Sequence, residues 1–364
     1  MKNSENKKIL VDARSLSVQP SGIGMYTYHV VKELMKYFSI SLVSDVCESK
    51  EMKELRRMGC VVYEYGQLVQ KNIQLIGYYR FVQKCIDQHN PDLFWECNNL
   101  VPRKLNVPGG KCIATVHDMF PISDPQHYGL FYSLYFRYGM KKTFENFDAF
   151  IYDSVSTKHN AEKYFPKAKD KKNYVGYVMV PPYSPKSDKD NGAFLYVGNL
   201  ETRKGTDILL DAYRLYRQQG GTRSLRIAGK MRETRIKLLY EQLVKQVDGL
   251  NYLGYISQEE RDHEYAHCHA FVFPTRAEGF GMPVVEALYY EKPILVSDDE
   301  TVQEVVGDCL HYFTMDKNPS QNLAKLMLED PTDVDVEAYA EKRKKYTPEV
   351  LGVHYRNILN EIIG

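Results

Sequence analysis

Short apolar runs alternate with helical patterns through the first half of the chain. Lys8-Ile9-Leu10-Val11-Asp12 reads as a buried strand, and residues 24–37 carry helical spacing. Ile40-Ser41-Leu42-Val43 is a second strand, followed by a charged helix over 50–58 and a third strand at Cys60-Val61-Val62-Tyr63. Residues 73–89 are helical, Asp92-Leu93-Phe94-Trp95 and Cys112-Ile113-Ala114-Thr115-Val116 are strands, and 130–147 is a long helix. Ala149-Phe150-Ile151-Tyr152 and a helix over 156–165 close the series. Apolar strands alternating with helices predict a parallel sheet covered on both faces.

At Pro181-Pro182-Tyr183-Ser184-Pro185 the alternation stops, and the residues that follow to Gly192 are polar. Three prolines so close together make a stiff, non-helical connection. The alternation then restarts. Strands are predicted at Ala193-Phe194-Leu195-Tyr196-Val197, Leu225-Arg226-Ile227-Ala228, Ala270-Phe271-Val272-Phe273 and Pro293-Ile294-Leu295-Val296, with a short extended piece at Asn251-Tyr252-Leu253. A helix after Lys204 places Ile208, Leu209, Ala212, Leu215 and Tyr216 on one face, and others span 233–247 and 283–290. Ser257-Gln258-Glu259-Glu260 has the form of a capping box. The expected organisation is an α/β protein of two doubly wound parallel-sheet domains, 1–183 and 190–346, with a last helix over 347–364 packing back on the first. Ligands in such sheets bind beyond the carboxyl ends of the strands.

Composition narrows the class. At 364 residues, 43% hydrophobic and 26% charged, the chain is neither disordered nor fibrous. No run approaches ~18 apolar residues, and Met1 to Lys8 is polar, so neither a membrane span nor a secretory signal is expected. Seven scattered cysteines without a C-x-x-C pair suit reduced thiols in a cytosol. The net charge of +1 conceals an asymmetry: 25 basic against 18 acidic residues through Val180, and 23 against 29 beyond. A basic first half suits an anionic partner such as phospholipid, lipid-linked phosphate or nucleic acid, although plain solubility accounts for it equally well.

The most specific local pattern is Pro274-Thr275-Arg276-Ala277-Glu278-Gly279-Phe280-Gly281-Met282-Pro283-Val284-Val285-Glu286. A buried strand ends, a two-glycine loop follows, and a proline opens a helix. Glycines let the backbone approach a ligand closely, and free amides at a helix start favour anionic groups. Glu278 lies in the loop and Glu286 one turn into the helix. This segment resembles the E-x7-E motif of family-four retaining glycosyltransferases, which use nucleotide sugars and have the GT-B fold, two Rossmann-like domains facing across a cleft. The resemblance covers nearly the whole chain. It implies that Glu286 bonds the ribose hydroxyls of the nucleotide, that Glu278 holds donor-sugar hydroxyls, and that Gly279, Phe280, Gly281 and Met282 contact the sugar or its phosphate.

Three further loops carry the same resemblance. Gly198-Asn199-Leu200-Glu201-Thr202-Arg203-Lys204-Gly205 follows a strand, and cations there would meet the charge that builds on a departing diphosphate. Asn199 stands where the family commonly has arginine. Some bacterial members, many of them mannosyltransferases, instead carry an adjacent Arg-Lys, as this chain does at Arg203 and Lys204. Gly22 and Gly24, in Ser21-Gly22-Ile23-Gly24, resemble the family's first glycine loop, which faces the diphosphate and acceptor. Thr115-Val116-His117-Asp118 ends a strand, and the resemblance assigns His117 to the donor sugar or acceptor, with Asp118 orienting it. The implied activity is hexosyl transfer (EC 2.4) from a nucleotide sugar, with GDP-mannose a candidate, to a lipid-linked or oligosaccharide acceptor in bacterial surface polysaccharide synthesis. The implied location is cytoplasmic or peripheral at the inner membrane face. Neither cofactor nor metal is expected, because GT-B enzymes generally use protein cations in place of a metal. The rival readings are a glycoside hydrolase using Glu278 and Glu286, a sugar-nucleotide epimerase of the same fold, and a lectin-like module.

Two features stand apart. His263-Glu264-Tyr265-Ala266-His267 matches H-E-x-x-H, but a strand begins three residues later and no third zinc ligand is evident. Residues 130–147 hold Phe131, Tyr132, Tyr135, Phe136, Tyr138, Phe144 and Phe147 with Arg137, Lys141 and Lys142 among them. That mixture reads either as a membrane-surface helix or as a helix packed on the sheet with its lysines in water, the latter slightly favoured for the helix itself. No nucleic-acid motif accompanies it.

Overall fold

The predicted apolar runs become the inner strands of two parallel sheets. The structure, a computed structural model, describes residues 7–69, 72–99, 101, 103–183 and 190–364. Residues 1–6 of the N-terminal stretch and 184–189 of the predicted linker lie outside them. The chain forms two units, Pro182–Lys345 and the remainder, Met1–Pro181 with Tyr346–Gly364.

In the first unit the strands are β1 (Lys8–Asp12), β2 (Ser39–Ser44), β3 (Val61–Glu64), β4 (Leu93–Glu96), β5 (Lys111–Val116), β6 (Ala149–Tyr152) and β7 (Lys172–Val175). Their order is β3-β2-β1-β4-β5-β6-β7, all parallel. Strand β6 is buried at all four positions, as an apolar run covered on both faces should be. The core sets Tyr78, Tyr79, Val82 and Ile86 of the helix Asn72–His89, and Phe136, Met140 and Phe144 of the helix Leu130–Asn146, among the side chains of the sheet.

The C-terminal helix, Pro348–Ile363, belongs to this unit. The Thr347 hydroxyl accepts from the Val350 N–H, and Pro348 occupies the first turn. It packs on the helix Gly22–Leu34, burying Leu351, Tyr355, Ile358, Leu359 and Ile362. The Tyr355 hydroxyl donates to the Tyr177 carbonyl at 2.7 Å and lies 3.1 Å from the Tyr26 hydroxyl. Val350 and His354, which the spacing places on the apolar stripe, are exposed instead, because they sit at its edges.

The second unit has β8 (Phe194–Val197), β9 (Leu225–Ala228), β10 (Leu250–Gly254), β11 (Ala270–Phe273), β12 (Ile294–Ser297) and β13 (His311–Phe313), ordered β10-β9-β8-β11-β12-β13 and all parallel. Both sheets therefore reverse their winding once, between β1 and β4 and between β8 and β11. That is the Rossmann-like arrangement, and the reversal opens a crevice beyond the strand ends where such folds bind ligands. Edge strands β7 and β13 and the helices Glu300–Val306, Pro319–Glu329 and Val336–Lys344 were not legible in the pattern.

Candidate active site

In the second unit the loops after β8 and β11 meet at the reversal point. Gly205 allows it: its φ is +67°, and a Cβ there would lie 1.6 Å from the Pro274 carbonyl oxygen, so only glycine fits. The Arg276 N–H donates to the Arg203 carbonyl at 2.9 Å, and the Arg203 guanidinium returns a bond to the Ala277 carbonyl at 2.9 Å. Arg203 also pairs with Glu201 at 3.1 Å. Arg276 grips Asp207 with both terminal nitrogens, at 2.6 and 2.9 Å.

Lys204 and Glu278 sit at the centre of this lacing. The Lys204 Nζ donates to both Glu278 oxygens, at 2.6 and 2.7 Å, and the Thr275 hydroxyl adds a third bond at 2.8 Å. The side chains are 15% and 6% exposed. Burial pulls the lysine below its ordinary range and Arg203 pushes the same way, while Glu278 opposes both. The ammonium is thus largely stripped of water and held beside a carboxylate.

Gly281 caps the helix Met282–Ala287 at φ +87°, with Pro283 in its first turn. Glu286, deep in that helix, is buried and ringed by donors: Arg261 at 3.3 Å, the Tyr183 hydroxyl at 3.3 Å and the Tyr265 hydroxyl at 3.5 Å. Burial raises its pKa, and Arg261 and the two hydroxyls restrain the rise. Among the described residues Glu278 and Glu286 bond different partners, Lys204 and Thr275 against Arg261, Tyr183 and Tyr265, which makes them two separate stations. Gly198 and Asn199 lie at the end of β8, where the Tyr196 hydroxyl donates to the Asn199 carbonyl at 2.9 Å. Asp299 joins the surroundings: it caps the helix Glu300–Val306, and burial pushes it up to about 7, opposed by the Val302 N–H and raised further by the Glu278 charge.

In the first unit His117 follows β5 and is buried. Its Nδ1 lies 2.7 Å from an Asp153 carboxylate oxygen and its Nε2 2.9 Å from the Cys97 carbonyl. The carbonyl can only accept and the carboxylate accepts when ionised, an arrangement that favours the charged ring, with a proton on each nitrogen. Burial works against that charge, but Asp153 and the Cys97 carbonyl outweigh it and hold the pKa above the ordinary histidine range. The orienting carboxylate is therefore Asp153, at the end of β6, and not Asp118. Asp118 instead accepts from the Phe120 N–H at 3.2 Å, two residues along its own loop. Gly24 is buried, and a Cβ on it would come 2.4 Å from the Ser15 carbonyl oxygen, whereas Gly22 is exposed with open space around it.

The first unit's reversal point carries a second polar cluster that the motifs did not reveal. Asp12 and Glu96 end the adjacent strands β1 and β4 in register and are fully buried. Tyr78 donates to Asp12 at 2.8 Å and Tyr79 to Glu96 at 3.2 Å, with the Arg14 guanidinium over both rings. Burial raises both carboxyl pKa values, Glu96 far above its usual range; the Asp12 charge raises Glu96 further, and Arg14 opposes the rise at both.

Arg261, Tyr183, Asp153 and Asp299 also escaped the sequence reading, since no spacing ties them to the residues they hold. His263 and His267 stack at 4.1 Å, and among the described residues no group of three His, Cys, Asp or Glu could hold a metal ion. All seven cysteines are free, and burial pushes Cys47, Cys60, Cys112 and Cys268 up to about 12. No helix among the described residues is long and apolar enough to cross a membrane.

Two Rossmann-like units of this kind define the GT-B fold. HepE of Anabaena, solved with UDP and glucose, superposes with a TM-score of 0.74 at 16% identity, covering 98% of this chain and 99% of that one. The chain is a glycosyltransferase, and residues 183–345, in its second unit, match the model for glycosyl transferases group 1. O-antigen chain mannosyltransferase B of Escherichia coli is 22% identical over 333 residues, 83% of this chain and 85% of its own length. O-antigen chain mannosyltransferase RfbU of Salmonella typhimurium is 23% identical over 335 residues, 86% and 89% of the two chains.

Proposed function

We propose that the protein transfers mannose from GDP-mannose, with retention of configuration, to a hydroxyl of a lipid-linked or oligosaccharide acceptor during assembly of a bacterial surface polysaccharide. The observation that carries the proposal is the buried Lys204–Glu278 pair at the reversal point of the second sheet. The names of the two mannosyltransferase relatives favour mannose and a polysaccharide acceptor.

In this reading the bond between the sugar's anomeric carbon and the diphosphate oxygen breaks, and the electron pair leaves with the diphosphate. The acceptor oxygen bonds to the same face of that carbon, and its proton passes to the departing phosphate oxygen. Lys204 turns to the phosphate as its charge grows, assisted by Arg203, and a poorly hydrated ammonium is worth more there than one in water. Glu278, released from Lys204, accepts from donor-sugar hydroxyls, with the Gly279 to Met282 backbone against the sugar or its phosphate. Glu286, set by Arg261, accepts from the ribose hydroxyls. Gly198 and Asn199 line the nucleotide's approach, and Gly22 and Gly24 that of the diphosphate and acceptor. His117, held by Asp153 at Nδ1, exchanges its Nε2 bond to the Cys97 carbonyl for one to the sugar or acceptor, and Asp118 is a candidate acceptor contact. The protein cations do the work a metal would do, so no cofactor is required. A hydrolase would use Glu278 and Glu286 as an acid and nucleophile flanking one bond. Their separate sets of partners argue against that.

Thermal shift against UDP-, GDP-, ADP- and dTDP-sugars tests the donor. GDP-mannose should raise the melting temperature most, with or without EDTA. A larger shift with another nucleotide sugar, or one abolished by EDTA and restored by magnesium, would overturn the assignment.

A further inference from the structure

The helix Leu130–Asn146 divides its aromatics between two faces. Phe136, Met140 and Phe144 turn into the core of the first unit. On the opposite side Leu130, Phe131, Leu134, Arg137, Tyr138 and Lys141 fall at i, i+1, i+4, i+7, i+8 and i+11, one continuous stripe. This stripe is open to solvent: Leu130 is 68% exposed, Phe131 89%, Leu134 55% and Tyr138 56%. The packed-helix reading thus holds for one face and fails for the other.

The stripe is graded along its length. Its N-terminal half is apolar and its C-terminal half basic up to Lys141; the one acid on the same side, Glu145, comes a turn later and is held by cations. Lys142 lies over the Tyr138 ring at 5.9 Å and is taken up by Glu145, which leaves Arg137 and Lys141 as the stripe's cations. The nearby carboxylates are already engaged, Glu145 with Lys142 at 2.9 Å and Lys167 at 3.7 Å, and Asp124 with His127. The segment through Val180 also carries the chain's excess of positive charge.

We propose that this stripe is a docking surface for an anionic phospholipid bilayer. Leu130, Phe131 and Leu134 enter the boundary between headgroups and acyl chains. Tyr138 sits at headgroup level, and Arg137 and Lys141 meet the lipid phosphates. Apolar insertion and charge attraction add, so the surface needs both ends. The charge decides for a bilayer over a protein partner: a protein-binding patch has an apolar centre with a polar rim around it, whereas here the cations follow the apolar residues on one side only. The inference bears on where a lipid-linked acceptor would be met, but it rests on this helix alone and not on the transfer chemistry.

Co-sedimentation of the full chain with vesicles tests it. The protein should bind vesicles of equal parts phosphatidylglycerol and phosphatidylcholine, less so at high salt, and bind pure phosphatidylcholine weakly. The double substitution Phe131→Glu with Leu134→Glu should lower binding about tenfold or more. Its melting temperature and its turnover on a soluble acceptor should not change. Arg137→Glu with Lys141→Glu should remove the preference for the anionic vesicles. Absence of vesicle binding by the unmodified protein, or binding by both variants as strong as that of the unmodified protein, would overturn the proposal. So would conversion of a dimer to a monomer by the first variant with vesicle binding intact, which would make a second copy the occupant.

Discussion

Replacing Lys204 with methionine should separate what the Lys204–Glu278 pair does for folding from what it does for turnover. The substitution keeps the length of the side chain and removes the ammonium. Glu278 then loses two bonds of 2.6 and 2.7 Å and keeps, of the partners described above, only the Thr275 hydroxyl. Removing one partner of a buried ion pair costs about 3–5 kcal/mol, because the remaining charge stays desolvated. The 15% exposure of Lys204 favours the low end, about 3 kcal/mol. For a unit of this size each kcal/mol moves the melting temperature by about 2–4 °C, so a fall of about 6–12 °C is expected. Adding Glu278→Gln removes the stranded charge while the amide still accepts from Thr275, and stability should return to within about 1 kcal/mol of the parent. Turnover behaves differently. Measured well below either melting temperature, Lys204→Met should lower kcat about 100- to 1000-fold with a smaller change in donor KM, as for loss of a group that meets transition-state charge. The double variant should stay inactive. Thermal melting and steady-state kinetics on the two variants decide the matter. Recovery of kcat in the double variant would show that the pair is only structural. A single variant that melts like the parent would show that the pair does not carry the stability worked out here.

Glu286→Ala should weaken binding of free GDP by about 1–3 kcal/mol, read by calorimetry, and unchanged affinity would count against a ribose contact. Glu96 holds its proton far above the usual carboxylate range, so the native chain loses stability as pH rises above the unfolded value near 4.5, where only the unfolded state deprotonates. Glu96→Gln escapes that loss. Its stability relative to the parent should climb as pH rises above about 4.5, at most about 1.4 kcal/mol per unit, in urea titrations, and a difference independent of pH would refute the raised carboxyl pKa. Tyr355→Ala should destabilise the first unit by about 3–5 kcal/mol while Val350→Ala changes it by less than about 0.5, and similar effects from the two would mean the C-terminal helix is not packed as described.

The parts of this fold legible in the sequence are those where one physical demand dominates. Strands β1, β6, β8 and β11 are covered on both faces and therefore read as unbroken apolar runs. Edge strand β7, Lys172-Asn173-Tyr174-Val175, has one neighbour and partial burial, and its composition resembles a loop. The loop from Pro274 to Pro283 was legible because turn, glycines and helix start all constrain neighbouring residues. Long-range partners were not. Asp153 is 36 residues from His117, and the sequence offers Asp118, next to the histidine, as the more obvious companion. Arg261 reaches Glu286 from a helix whose visible signals were its capping box and an incidental H-E-x-x-H. In residues 130–147 aromatics occur on every side, so the pattern alone could not say which would be buried.

The central claim is retaining transfer of mannose, and the configuration of the product tests it most directly. Incubated with GDP-mannose, in which mannose is α-linked, and a mannose-terminated acceptor in EDTA, the protein should yield a lengthened acceptor whose new anomeric centre is α by proton NMR. A β-linked product, or release of free mannose with no transfer to the acceptor, would contradict the account.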